Sequence, residues 1–319
     1  MAPASLSALV LGAPGPTTAL ALHAWLDEGH RISGFLCCEP EGWWREDRRL
    51  ARLRPRLSVT AALRRAGCEA RLAPPAARDA AILAAMDAAA PDLLLSVGFR
   101  RRVGEAVLAR LPRRAVNIHP ALLPACAGPT PSLCLLLDDA FAEAGGATLH
   151  LMDPALDGGP IIARRGLSAP FPGDVPAYRL ASGVAAAALA AEALPAYLAG
   201  ARGATPQPAP AALRRATDAD LTVGPGWSRA RIERLARALP WSHALLLPEG
   251  HGTVAVAGAP RFLPPGAGPA PPGFAQAPCE GGVVRFRRRR GLDKRLWRWR
   301  QLLRLVTAPL PPPGPELPP

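Results

Sequence analysis

Leu6-Ser7-Ala8-Leu9-Val10-Leu11-Gly12-Ala13-Pro14-Gly15 is the stretch from which the fold can be read. Its apolar run stops at a Gly/Pro turn, and Ala19, Leu22, Trp25 and Leu26 then recur at helical spacing over a helix expected from about Thr17 to Glu28. A second apolar run, Ile32 to Cys38, follows directly. Strand, helix and strand in so short a span form the pattern of a βαβ unit, whose crossover makes the two strands parallel. The alternation continues: Ala76 to Ala90 reads as helical, Leu93 to Val97 and Ala115 to Ile118 as strands. Ala147 to Met152 and Ile161 to Arg164 read as a pair of later strands around a loop, and one long Ala-rich helix is expected over roughly Val175 to Ala199. The fold class is therefore α/β with a mostly parallel sheet.

From Arg202 to Pro210 the composition turns to Gly, Pro and Ala, the mark of a linker. Beyond it, Ser228 offers an N-cap to an Arg-rich helix reaching about Leu239, and Leu245 to Leu247 and Thr253 to Ala257 read as short strands. Pro264 to Pro278 is too rich in Pro and Gly to suggest regular structure. The expected division is a catalytic unit over 1–201, a linker over 202–213, a β-rich unit over 214–308 and a Pro-rich tail, 309–319, that stays disordered.

Lys and Arg outnumber Asp and Glu by 38 to 25 in 319 residues, a net charge of +13 that favours an anionic partner. Hydrophobic residues at 49% argue against wholesale disorder. The amino terminus has no basic region before its apolar stretch, which argues against a signal peptide. Glu192 and Pro195 interrupt the apolar stretch Val184 to Ala199, so no transmembrane segment is expected. Six cysteines without a C-x-x-C pair fit a reducing cytoplasm, and no His/Cys cluster suggests a metal.

The chemistry is concentrated in Asn117-Ile118-His119-Pro120-Ala121-Leu122-Leu123-Pro124 and Leu156-Asp157-Gly158-Gly159-Pro160-Ile161-Ile162. Asn117 and His119 lie two apart at a strand end, so both side chains share one face, and ligands of open α/β sheets bind at such carboxyl ends. An amide donor beside an imidazole suits acyl transfer: Asn117 could hold a developing oxyanion while His119 handles a proton. Asp157 could keep His119 charged or correctly oriented. Asn-x-His alone is usually a strand-end turn, and the second segment is what makes the joint signal specific. His150 reads as a core-edge histidine.

Together, NIHPALLP and LDGGPII, with Pro91-Asp92-Leu93 and Val97-Gly98-Phe99 upstream, resemble the folate-dependent formyltransferase family. The resemblance implies a Rossmann-like domain and transfer of the formyl group of 10-formyltetrahydrofolate to an amine, with Asn117, His119 and Asp157 as catalytic residues. It also implies folate contacts from the loop containing Gly98, Phe99, Arg101 and Val103 and from Leu156, Gly158 and Gly159. Residues 214–241 resemble the connection into the small carboxy-terminal β-barrel that methionyl-tRNA and some sugar formyltransferases share. The expected activity is thus methionyl-tRNA formyltransferase-like, with aminoacylated initiator tRNA as one acceptor. The alternatives are N-formylation of an amino sugar nucleotide or other small amine, and a catalytically silent RNA-binding relative. Ala121 to Gly128 lacks the aromatic and arginine usual in the family, and Gly158 replaces a threonine.

Leu292, Leu296, Trp299, Leu303 and Val306 lie on one helix face among arginines. Such a basic amphipathic helix could bind RNA phosphates, lie on an anionic membrane, or pack its apolar face on the barrel. Residues 285–304 carry nine Arg and one Lys against Asp293, a net +9, and residues 31–78 carry eleven Arg against five acids, a net +6.

Overall fold

The computed structural model describes residues 5–39, 41–168, 174–208, 213, 215–239 and 243–319. In chain order the first unit contains β1 (Ser7–Gly12), α1 (Pro16–Asp27), β2 (Arg31–Cys37), α2 (Glu41–Leu53), α3 (Val59–Ala66), β3 (Ala70–Leu72), α4 (Arg78–Ala89) and β4 (Leu93–Val97). It continues with α5 (Glu105–Leu108), β5 (Ala115–His119), α6 (Pro131–Asp138), α7 (Phe141–Ala144), β6 (Gly146–Leu151), β7 (Ile161–Gly166) and α8 (Val175–Ala188). A π turn, Leu189–Ala193, leads from α8 into α9 (Leu194–Leu198). Then come α10 (Asp218–Leu221), α11 (Arg229–Ala238), β8 (Leu246–Glu249), β9 (Gly252–Leu263), β10 (Phe274–Cys279), β11 (Gly282–Arg288), α12 (Gly291–Thr307) and β12 (Glu316–Leu317).

The main sheet runs β12-β7-β6-β5-β4-β1-β2-β3, with β1 to β5 parallel and β6, β7 and β12 antiparallel. After β3 the chain returns to the other side of β1, so the strand order reverses between β1 and β4. This is the switch point at which loops from neighbouring strands diverge and leave a crevice. The apolar β1, β4 and β5 are buried on both faces, as a covered parallel sheet requires.

Close packing of α1 on α8 covers one side of the sheet. At Gly183 a Cβ would sit 2.9 Å from Leu20 Cδ1 and 3.1 Å from Thr17 Cα, so this approach needs glycine. The run Val175–Leu198 is long and apolar enough to cross a membrane by length and composition, but here its Ala185, Ala186, Leu189 and Ala190 form core with Leu22 and Trp25.

The second unit is a four-stranded antiparallel sheet, β10-β11-β9-β8, curled into a half-barrel. Ser58 and Ser228 cap α3 and α11 by accepting from backbone N–H groups, and α11 buries Ile232 and Leu235. Expectations that fell on residues 209–212, Arg214 and Pro240 to Trp241 lie outside the described residues.

Three sequence expectations are corrected. Pro264 to Pro278 is not wholly irregular, because β10 begins at Phe274 and pairs with β11. The Pro-rich tail is ordered: Glu316 and Leu317 pair with Arg165 and Arg164 of β7, where a short edge strand needs few N–H donors and proline is tolerated. Finally, α12 turns a different face inward. Leu302 is buried with Leu20, Leu50, Leu57 and Leu180 of the amino-terminal unit, while Leu292, Leu296, Trp299 and Leu303 are 59–66% exposed. Polar clamps fix that orientation: Arg54 Nη1 donates to the carbonyls of Leu305 and Ala308 at 2.5 and 2.6 Å, Arg298 meets Glu46 at 2.6 Å, and Arg304 pairs with Asp174.

Candidate active site

The carboxyl end of β5 delivers Asn117 and His119 beside antiparallel β6, in a register that sets Asn117 opposite His150 and His119 opposite Thr148. The loop leaving His119 is pinned from below. Thr148 Oγ1 donates to Ala121 O at 2.7 Å and accepts from Leu123 N at 3.0 Å, and the buried Tyr178 hydroxyl donates to Pro120 O at 2.7 Å.

Asp157 enters from the β6–β7 loop in a left-handed conformation, φ 58°, which is uncommon for a residue other than glycine and recurs at functional sites. Gln207 Nε2 holds that loop by donating to Asp157 O at 3.0 Å and Gly159 O at 2.7 Å. At Gly159 a Cβ would lie 2.1 Å from Leu151 O, so the second glycine of the motif is sterically required.

These elements bring the predicted trio together. Asn117 Nδ2 donates to His150 Nε2 at 3.0 Å and to Asp157 Oδ1 at 3.3 Å. His119 Nδ1 lies 3.5 Å from Asp157 Oδ2, and Nε2 lies 3.1 Å from the Cys126 carbonyl. The Gly128 N–H donates to Asp157 Oδ2 at 2.8 Å. Because Asn117 donates to His150 Nε2, the His150 proton belongs on Nδ1, where it meets Leu151 O at 2.8 Å.

Burial pulls the His119 pKa below the ordinary 6.5, against the raising effect of Asp157. Burial acts the other way on Asp157, but His119, His150 and the Gly128 N–H outweigh it and hold the carboxyl down to about 2. His119 is thus a neutral imidazole whose two nitrogens both face oxygen acceptors. A neutral ring can satisfy one of them, and an incoming proton satisfies the second.

A cavity of about 620 Å³ opens beside the trio, lined by Asn117, His119 and Asp157 and by the turn after β1. Of the expected folate contacts, Gly98, Phe99 and Leu156 line it. Arg101, Val103, Gly158 and Gly159 do not, and the arginine of the Arg100–Arg102 run that faces inward is Arg100. Sequence reasoning also missed His150, Arg179 and His243, and the wall that Arg298, Gln301, Leu302 and Leu305 of α12 place across the cavity. His150 was signalled only by its register opposite Asn117; nothing local in the sequence marks the others. The residues from Ala121 to Gly128 that depart from the family pattern touch His119 and Asp157 through backbone atoms, a carbonyl and an N–H, which any side chain can supply.

Residues 35–170 match the formyl transferase family. Phosphoribosylglycinamide formyltransferase of Mycobacterium tuberculosis is 46% identical over 90 residues, 27% of this chain and 40% of the relative. Methionyl-tRNA formyltransferase of Roseiflexus is 35% identical over 223 residues, 67% of this chain and 65% of the relative. The chain therefore spans less than two thirds of the length of either. Among solved structures, a Mycobacterium tuberculosis protein whose assignment as a sugar N-formyltransferase is itself provisional superposes with a TM-score of 0.54 at 19% identity. That likeness covers 80% of this chain and 97% of the other, and speaks to the fold. The amino-terminal unit thus carries a formyl transferase domain over residues 35–170, and the chain is similar to methionyl-tRNA and phosphoribosylglycinamide formyltransferases.

Proposed function

We propose that this protein transfers the formyl group of 10-formyltetrahydrofolate to an acceptor amine in the cytoplasm. The observation that carries this reading is the convergence of Asn117, His119 and Asp157 on the wall of one cavity, Asn117 hydrogen-bonded to Asp157 and His119 Nδ1 3.5 Å from its carboxylate. At about 620 Å³ the cavity is within the range of small-molecule sites. Gly98, Phe99 and Leu156 would hold the donor, which supplies a formyl carbon attached to a nitrogen leaving group.

Asn117 can exchange its longer bond, the 3.3 Å contact to Asp157, for the formyl oxygen and donate to the charge that grows there. His119, neutral because it is buried, takes the proton shed by the attacking amine through a water, and Asp157 stabilises the resulting imidazolium. His119 then returns that proton to the departing nitrogen: one C–N bond forms, one breaks, and the proton count balances. Retention of all three side chains weighs against a silent relative. The Roseiflexus relative favours methionyl-tRNA as acceptor. A small amine is favoured by the wall that α12 builds across the cavity. Six free cysteines support a reducing compartment.

The test is tetrahydrofolate release from 10-formyltetrahydrofolate with a panel of amines that includes methionyl-tRNA, amino sugar nucleotides and small phosphorylated amines. Turnover with one of them is expected, falling by about two to three orders of magnitude in Asn117→Ala. No turnover with any amine overturns the proposal.

A further inference from the structure

We infer that the outward face of α12, with the adjoining edge of α2, is a docking surface for an anionic lipid bilayer, on which the protein rests with α12 in the plane of the interface. The inference goes beyond the transferase reading and does not depend on it.

The two faces of α12 do different things. Arg298, Gln301, Leu302 and Leu305 line the cavity, and the clamps from Arg54, Glu46 and Asp174 hold the helix in that rotation. Leu292, Leu296, Trp299 and Leu303 therefore point away from the body of the protein, 66, 59, 63 and 62% exposed. Spaced at 4, 3 and 4 residues, they fall within an arc of about 60° and form a stripe about 17 Å long. The guanidinium of Arg49 on α2 lies 5.6 Å from the centre of the Trp299 ring. Glu46 meets Arg298 and Arg54 meets Leu305, so α2 and α12 run side by side in the same direction. That alignment sets Leu53 of α2, itself 58% exposed, beside the Leu303 end of the stripe. Single exposed leucines are ordinary on a protein surface, whereas a contiguous apolar patch marks a binding surface.

The charge around the stripe selects its occupant. Arg295 and Arg300 are exposed and flank it on either side, and Arg45, Arg49 and Arg52 are exposed on α2. Asp293, the one acid in the sequence of α12, is paired with Arg287 at 2.7 Å, and Glu46 with Arg298 at 2.6 Å. Asp47 is buried and accepts from the backbone N–H groups of Val59 and Thr60 at 2.8 Å each. Residues 285–304, with their net +9, thus surround an apolar stripe with positive charge.

A second copy of the chain would bring the same positive surface against this one and be repelled. RNA would satisfy the arginines, but its recognition draws on phosphate contacts and stacking, for which a row of leucines offers nothing. An anionic bilayer satisfies both. Leucines enter the headgroup–acyl boundary, tryptophan sits at the headgroup level, and arginines reach up to the lipid charges. Because the opposite face of α12 walls the cavity, docking would hold that cavity about one helix diameter, roughly 10 Å, from the lipid.

The test is co-sedimentation of the full chain with vesicles of phosphatidylcholine alone and of phosphatidylcholine and phosphatidylglycerol mixed two to one. Binding to the mixed vesicles is expected to be at least about tenfold tighter and to weaken with salt. Leu296→Ser and Leu303→Ser should each reduce it about tenfold, and Arg295→Gln and Arg300→Gln about fivefold each. None of these four residues lines the cavity, and near-UV circular dichroism reports whether each variant keeps its fold; the Gln pair gives an independent reading should a Ser variant unfold. Brominated phosphatidylcholine in the mixed vesicles should quench tryptophan emission in the wild type and less in Trp299→Phe. Absence of binding to the mixed vesicles, or equal binding to both kinds, overturns the proposal, as does undiminished binding in folded Ser and Gln variants. An RNA hairpin that binds through Leu296 and Leu303 while vesicles do not would assign the stripe to RNA instead. A dimer in sedimentation velocity that Leu303→Ser dissolves, again without vesicle binding, would assign it to a second copy and equally overturn the proposal.

Discussion

Replacing Asp157 with Asn preserves the shape of the side chain and removes its charge from a site where that charge is unusually favoured. His119 Nδ1 at 3.5 Å, His150 Nε2 at 3.7 Å and the Gly128 N–H at 2.8 Å overcome burial and hold the carboxyl at about 2, against an ordinary 3.8. A gap of that size corresponds to about 2 kcal/mol of folding free energy at neutral pH. Because the folded-state value is depressed, this stabilisation is complete above the unfolded value of 3.8 and is lost as pH falls through about 2. Urea unfolding of wild type and Asp157→Asn at about pH 6 and about pH 2 isolates it, since the other carboxylates titrate alike in both proteins. The stability difference between the two should shrink by about 2 kcal/mol between the higher and the lower pH. A difference that stays the same at both would refute the electrostatic account of this aspartate.

Four further outcomes are expected. His150→Ala should lower kcat about tenfold with KM little changed, and His150→Gln, which can still accept from Asn117, should recover most of it; steady-state kinetics with any accepted amine decides this. The acid limb of the kcat profile should lie below pH 6.5, because a buried general base is lost only on protonation, and a limb above that value contradicts the burial argument for His119. Leu302→Ala should cost about 2 to 3 kcal/mol in denaturant melts, since it empties a pocket shared with Leu20, Leu50, Leu57 and Leu180. Removal of residues 309–319 should uncover the edge of β7, lower the melting temperature and promote self-association measurable by light scattering.

The strands and helices of the parallel half were legible because their signals are local: Leu93–Val97 and the long helix ending at Leu198 lie within a residue of where periodicity puts them. The same holds for the Asn117, His119 and Asp157 cluster, whose members sit in two short motifs. What escaped depends on packing between distant segments. Arg100, rather than Arg101, enters the cavity because the turn after β4 sets that rotation, which a run of three arginines cannot reveal. Similarly, the apolar repeat of α12 suggests one buried face, but the clamps from Arg54, Glu46 and Asp174 select another. Composition misled for the tail, because proline discourages regular structure in isolation yet does not prevent two residues from closing a sheet edge.

That edge has a bearing on how the protein is made. The sheet that carries Asn117 and His119 is complete as far as Gly166, but its last neighbour, Glu316, lies 150 residues further along the chain. At ribosomal rates of about 5 to 20 residues per second, roughly eight to thirty seconds separate the two. Throughout that interval β7 is an unpaired border and the site lacks the wall from α12, so the nascent chain passes through a stage that is folded in outline but open both to strand addition and to solvent. The later segments therefore act as a seal on the earlier ones, and the complete cavity assembles only after α12 has been made.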